Sequence, residues 1–405
     1  MCTSVTVTAT ANPHKRRGVP SSSHAGRGAG VAIAACLALA TTFVDHAATA
    51  SEVLPQFTIR QLTDQGGRLA WYSGAAHELI AYDAIVDSET AATEVFVMQP
   101  DGSGKRCVTC EMSFPKGQGF VGQPAWHPDG KHLVIQVENA NSKHTRFNHM
   151  SWGIDADLWL ISLDGKRAER IWASGAGHAA LHPHFSDDGK RLVFAKRSPT
   201  PRVTRRLFHP WAPVGGQNPW DGWAIHVASA SLAESGGQVL SNHGRIAPNG
   251  RGFYETHSIS SAGRILYSFT ADGAPYVDDI YEIDVEQRST THLINSPATW
   301  DEHGAFSPNG RNLAFISSRA DPEWRAPDSR ANTLTTELFV RSADGQIHQL
   351  TTFNREGDGS RRYLVSDFDW DRSGRRIAFQ VAPVRRFGRA ESPQIWLLEF
   401  SAERP

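Results

Sequence analysis

The chain has 405 residues, with 41 Lys and Arg against 42 Asp and Glu, and a formal net charge of -1. It lacks the basic excess that backbone-phosphate recognition requires, which excludes a general nucleic-acid binder. Its 35 Gly and 22 Pro point to many turns, and an all-β chain of this length can form one unit.

In chain order, the first fifty residues carry Lys15, Arg16 and Arg17, then the apolar run "AGVAIAACLALATTFV", then small residues at Ala48 and Ala50. Basic, apolar and small-x-small is the order of a secretory signal peptide. The run is too short and too Ala-rich for a comfortable membrane span. Residues 1–50 are therefore expected to be a signal peptide cleaved after Ala50. Residues 51–405 are expected to be a single exported domain, periplasmic or secreted and not membrane-spanning. Arg16-Arg17 echoes a twin-arginine signal only weakly. "IAAC", ending at Cys36, falls in the middle of the apolar run, where a lipoprotein box would not lie.

Past the leader, "QFTIRQLT" (Gln56 to Thr63) reads as a strand, and "TEVFVMQPDGSGKRCV" as strand, turn and short strand. Cys107 and Cys110 follow. "CVTC" has redox-motif spacing, but it trails a strand, whereas a thioredoxin-type site places its first Cys at a helix N-terminus. Two cysteines do not complete a zinc site. A small structural disulfide or two idle thiols remain.

From there one pattern returns. "QPAWHPDGKHLVIQV" from Gln123, "HPHFSDDGKRLVFAK" from His182, "HGAFSPNGRNLAFIS" from His303 and "DFDWDRSGRRIAFQV" from Asp367 align. "THSISSAGRILYSFT" from Thr256 and "LAWYSGAAHELIAYDA" from Leu69 are poorer copies. Each reads as strand, tight turn, strand, with Gly supplying the positive φ of the turn. Each is followed by two more alternating strands, as in "DLWLISLDG" then "AERIW". The unit is a four-stranded antiparallel meander. Six such units make a six-bladed β-propeller, because one sheet cannot bury both faces alone. The last unit supplies three strands, "SDFDW", "RRIAFQV" and "QIWLLEF". The strand at Gln56–Thr63 is expected to complete that blade and close the ring.

The aromatic-Ser-Pro-Asp/Asn-Gly-Lys/Arg pattern with its "DLWL…DG" partner resembles the WD-like repeats of TolB-like six-bladed propellers, over about Gln56 to Phe400. That resemblance implies the propeller fold and an envelope-protein or peptide partner. TolB itself carries an α/β domain before its propeller; here propeller strands begin almost directly. Related propellers cap serine peptidases, but no Gly-x-Ser-x-Gly elbow occurs.

The repeat sorts the loops. Turns after first and third strands are short, while the insertions follow second strands and are expected to crown one rim. Long connections of this kind are more often functional than not. Trp220 and Trp324, with Trp152 and Trp211, lie in insertions, where their rings would stack on sugars or peptide side chains or pack their own loop. First strands should line the central channel, with Gln123, His182, His303 and Asp367 at its mouth and His184 and His257 nearby. Three converging His plus a Gln or carboxylate would suit a divalent metal; a wet polar tunnel is the plainer account. By resemblance, pectin-fragment lyases on similar propellers use a His-rich metal site there. Asp367, Asp369 and Asp371 signal calcium only weakly, and Asp278-Asp279 reads as loop charge. Trp126, Phe185, Phe306 and Trp370, recurring at one position, read as blade-to-blade core.

Two functions follow as expectations. One is a monomeric, exported, non-catalytic propeller that needs no cofactor and binds a cell-envelope protein, a peptide or a glycan through the long-loop rim. The other is a metal-dependent polysaccharide lyase or hydrolase with its His cluster at the channel mouth.

Overall fold

The computed structural model describes residues 55–401 except 75–76, 116–118, 143–152, 199–221, 233–237, 272–273, 275–276, 325–333, 355–361 and 385–391. The expected signal peptide and the rings of Trp152, Trp211 and Trp220 lie outside the described residues. Those described form an all-β, six-bladed propeller with no helix among them, and none is part of a helix long and apolar enough to cross a membrane.

Strand β1 (Phe57–Thr63) comes first. Blade one is β2 (Leu69–Ser73), β3 (Glu78–Asp87), β4 (Ala92–Met98) and β5 (Arg106–Cys107). Blade two is β6 (Val121–Trp126), β7 (His132–Glu138), β8 (Ala156–Ser162) and β9 (Ala168–Trp172). Blade three is β10 (Ala179–Phe185), β11 (Arg191–Arg197), β12 (Trp223–Leu232) and β13 (Gln238–Ile246). Blade four is β14 (Gly252–Ile259), β15 (Arg264–Ala271), β16 (Asp279–Asp284) and β17 (Ser289–Ile294). Blade five is β18 (Asp301–Phe306), β19 (Leu313–Ser317), β20 (Glu337–Arg341) and β21 (Ile347–Gln349). Blade six joins β22 (Arg362–Trp370), β23 (Arg376–Val384) and β24 (Gln394–Phe400) to β1, which pairs antiparallel with β24 from Phe57↔Phe400 onward.

The hairpin between first and second strands is built the same way in five blades. Gly130, Gly189, Gly263, Gly310 and Gly374 all take φ between 68° and 80°. Each donates its N–H to the residue three before it, as Gly310 does to the Ser307 carbonyl at 2.7 Å. A Cβ disfavours that conformation, so the Gly of the repeat is a backbone requirement. Long connections join second to third strands, between Glu138 and Ala156, Arg197 and Trp223, Ser317 and Glu337, and Val384 and Gln394. In an antiparallel meander these share a rim with the fourth-to-first connections.

The core lies between blades. Six buried clusters match six seams. One unites Val193 and Trp223 of blade three with Tyr254, Tyr267 and Phe269 of blade four. Another unites Ile316 and Leu338 of blade five with Phe368, Trp370 and Phe379 of blade six. The seam of blades one and six holds Trp71, Ile80 and Tyr82 against Ala378, Ile395 and Leu397. The recurrent first-strand rings also carry inter-blade bonds: Trp126 Nε1 donates to the Ala70 carbonyl at 3.1 Å, and Trp370 Nε1 to that of Ala305 at 3.2 Å. On the long-connection rim, the start of a third strand clasps the next blade. Thr93 Oγ1 donates to the Val121 carbonyl at 3.0 Å and Thr336 Oγ1 to that of Val365.

Candidate functional site at the propeller axis

Five of the six innermost strands break their ladder at one place. Register shifts fall between Gly122 and Ala125, Leu181 and His184, Thr256 and Ser258, Glu302 and Ala305, and Val365 and Phe368. The displaced residues include Gln123, His182, His257, His303 and Asp367. Bulges re-aim side chains, and here they turn them inward. Gln123, His182 and His303 hold left-handed backbone, with φ of 49°, 48° and 52°. For a residue with a Cβ this costs on the order of 1–3 kcal/mol and survives only where the surroundings enforce it.

The bulges are fastened from one blade to the next. Asp83 accepts the Gln123 N–H at 2.9 Å and the Arg68 N–H at 3.1 Å. Gln123 Oε1 accepts the His182 N–H at 3.1 Å, and Thr256 Oγ1 donates to the His182 carbonyl at 2.7 Å. Contacts between non-adjacent blades locate the axis. The rings of His182 in blade three and His303 in blade five stack at 5.3 Å, and His257 lies 5.4 Å from His303 and 6.4 Å from His182. Asp367 in blade six reaches His182 Nε2 at 4.0 Å, His303 Nε2 at 3.9 Å and Arg68 Nε at 3.9 Å. The imidazoles are backed by carboxyls: Glu255 Oε1 lies 3.0 Å from His182 Nε2, and Glu302 Oε2 lies 3.8 Å from His303 Nε2 while accepting the Trp300 indole N–H at 2.7 Å.

Burial dominates the charge states. It pulls His182 down to about 4 and His184 to about 3, and lowers His303 and, further, His257. At neutral pH these rings are neutral and keep a lone pair. Burial works to raise Asp367, but His303, Arg68 and His182 overcome it and hold the carboxyl below the usual carboxylate range. Burial pushes Glu255 up to about 7, and burial with the neighbouring carboxyl lifts Glu302 well above its ordinary value. The site is thus neutral imidazoles, one carboxylate, one guanidinium and carboxyls prone to hold a proton.

The residues expected from sequence are only partly brought together. Gln123, His182, His257, His303 and Asp367 converge, but at mid-strand bulges and largely buried, and not at strand starts on an open mouth. His184 packs beside them, its Nε2 buried and unpartnered. Trp324 is a correction: at 4% exposure it is no open stacking ring, because its segment turns inward, its N–H bonding to the Asp321 carbonyl at 3.3 Å. Asp278 is another. It is fully buried, accepts from Thr270 Oγ1 at 3.0 Å and pairs its backbone with that of Trp300, so it is inter-blade structure and not loop charge. The alternating aspartates diverge: Asp369 accepts the Trp71 N–H at 2.7 Å and Asp371 holds its own hairpin through Arg376. Cys107 and Cys110 are disulfide-bonded. Sequence reasoning missed Arg68, Asp83, Glu255 and Glu302. The last two stand within two residues of a repeat-position His, the only signal that marks them.

Ligand nitrogens of His182, His257 and His303 all lie within 4.8 Å of one another, and a second set, one carboxyl oxygen each from Glu255 and Glu302 with a nitrogen of His303, is equally close. Neutral imidazoles with the Glu255 and Glu302 carboxyls, which bond to each other beside them, suit a divalent ion of borderline softness.

No family model matches the chain. It is 23% identical over 269 residues to dipeptidyl-peptidase 5 of Porphyromonas endodontalis, covering 58% of this chain and 34% of that protein. The chain thus spans about a third of the length of the curated relative it matches. Among solved structures, TolB from Acinetobacter baumannii superposes with a TM-score of 0.46 at 16% identity, over 79% of this chain and 63% of that one. Oligogalacturonate lyase from Vibrio parahaemolyticus superposes with a TM-score of 0.44 at 10% identity, over 86% and 97%. The six-bladed propeller expected from the repeat is the fold of this chain.

Proposed function

We propose that this protein is an exported propeller that binds a divalent metal ion at its axis and works there as a metal-dependent lyase or hydrolase on a polysaccharide fragment. The observation that carries the reading is the meeting of His182, His257 and His303, three neutral imidazoles from three blades, with their nitrogens within 4.8 Å. Strained backbone at two of the three supports it, since such strain gathers where a site needs a fixed aim. His182, His257 and His303 would hold the ion, with Asp367 and Glu255 beside them. A bound ion would polarise a ligand oxygen or activate a hydroxyl. Arg68 offers a cation to an acidic group on the ligand. The Glu302 carboxyl, gripped by Trp300, is placed to hold a proton next to the imidazoles. Export rests on the basic, apolar and small-residue order of residues 1–50.

Metal analysis of the purified protein after incubation with Mn, Zn or Ca and dialysis tests the reading. About one equivalent is expected, lost in a folded His182→Ala/His303→Ala variant. Less than a tenth of an equivalent in the unaltered protein for every ion would end the metal reading. The second reading, a non-catalytic module binding an envelope protein, peptide or glycan, is favoured by the gathering of long connections on one rim. It predicts partner capture that survives the double His variant.

A further inference from the structure

The disulfide at the perimeter is not accounted for by the axial site, and its setting differs from that of a staple. Cys107 ends β5, the outermost strand of blade one, and is bonded to Cys110 three residues on. A crosslink closing so short a loop removes the least entropy from the unfolded chain and so stabilises least. The loop is also held without it. Val108 and Thr109, between the cysteines, are buried. The Val108 N–H donates to the Val95 carbonyl at 2.8 Å, and the Val95 N–H to Thr109 Oγ1 at 2.8 Å. Thr109 Oγ1 in turn donates to Glu94 Oε2 at 2.6 Å, and the Met112 N–H to the Thr109 carbonyl at 2.9 Å. Opening the sulfur–sulfur bond would leave this frame in place.

The two sulfurs are not equivalent. Cys110 is exposed and Cys107 half-buried. The backbone N–H of Cys110 donates to Cys107 Sγ at 3.0 Å. A donor aimed at sulfur stabilises a thiolate more than a disulfide sulfur, since charge-assisted bonds are the stronger ones. It does here what a helix N-terminus does in other dithiol sites.

We propose that Cys107 and Cys110 form a thiol–disulfide exchange site whose substrate is a low-molecular-weight thiol. The incoming thiolate attacks Sγ of Cys110. The Cys107–Cys110 bond breaks, and its electron pair leaves on Cys107 Sγ, under the Cys110 N–H. A second thiolate attacks the substrate sulfur of the mixed disulfide and releases Cys110. Two substrate thiols are oxidised to one disulfide, Cys107 and Cys110 are reduced to thiols, and the two protons pass from the substrate to the cysteines.

Glutathione is the probe. The folded, full chain is equilibrated in mixtures of reduced and oxidised glutathione, quenched with iodoacetamide and weighed. Two carbamidomethyl groups more than in the unreduced chain, located on Cys107 and Cys110 by peptide mapping, are expected at millimolar reduced glutathione, with tryptophan fluorescence unchanged. A bond that stays closed under a hundredfold excess of reduced glutathione until the protein unfolds would overturn the proposal. Glutathione trapped on the chain by acid quenching early in reduction should be found on Cys110 by peptide mapping; an even split between Cys110 and Cys107 would overturn the assigned direction. The double variant should melt within a few degrees of the parent, and a larger fall would assign the bond a staple's role instead.

Discussion

His226 shows how one buried ring ties the fold to pH. It sits between Trp172 at 4.9 Å, Phe194 at 5.1 Å and His243 at 5.6 Å, with Nε2 unpartnered. Burial, helped by Lys196 and His243, lowers it to about 4. The unfolded chain takes up this proton near pH 6.5 and the folded one only near pH 4, so the unfolded state binds more protons between those values. Stability must therefore fall as pH drops through that window. His226→Phe keeps a ring and removes the proton site. Its urea midpoint should fall less than the parent's between pH 7 and 5, the gap reaching about 2 kcal/mol at pH 5. Equal declines would remove His226 from the account. At this scale the sequence was half-readable. Gln123, His182, His257, His303 and Asp367 stand out because a repeat assigns them one position. Arg68, Asp83, Glu255 and Glu302 do not, because the bulges that turn the inner strands have no residue type common to all five. Left-handed Gln123, His182 and His303 are forced by their neighbours and leave no mark in composition.

Among the elements, the hairpins were the most legible, since Asp-Gly, Asn-Gly and Ser-Gly dictate backbone geometry locally. The clasps between blades were not, although Thr93 and Thr336 occupy matching positions. Each stands where a third strand begins and donates its hydroxyl to the first strand of the next blade. Thr93→Val and Thr336→Val keep the shape and leave a buried carbonyl with one bond fewer. Each should cost about 1–2 kcal/mol in chemical denaturation, and the two should add, since they lie on different seams. A neutral result at both would make the clasps incidental to seam strength. Trp324 was left open for a related reason: a ring in a long connection reads equally as a stacking surface or as packing for its own loop, and here it is buried.

For the whole molecule, closure is the property that matters most. Each seam has a buried cluster, and β1 closes blade six with Phe57 against Phe400, their ring centroids 5.9 Å apart. Closure was legible beforehand, because the last repeat lacks a strand and an unassigned one, Gln56–Thr63, precedes the first repeat. Removing residues 57–63 should bare the edge of β24, an invitation to strand pairing between molecules. The truncated chain is expected to run as oligomers in size-exclusion chromatography and to unfold at lower urea. A monomer of unchanged midpoint would show that β1 is dispensable. Because blade six draws on both ends of the chain, its assembly also has a schedule. The strand made earliest must wait, unpaired, for the three made last, and the axial imidazoles cannot be locked in place before the final residues of β24 emerge.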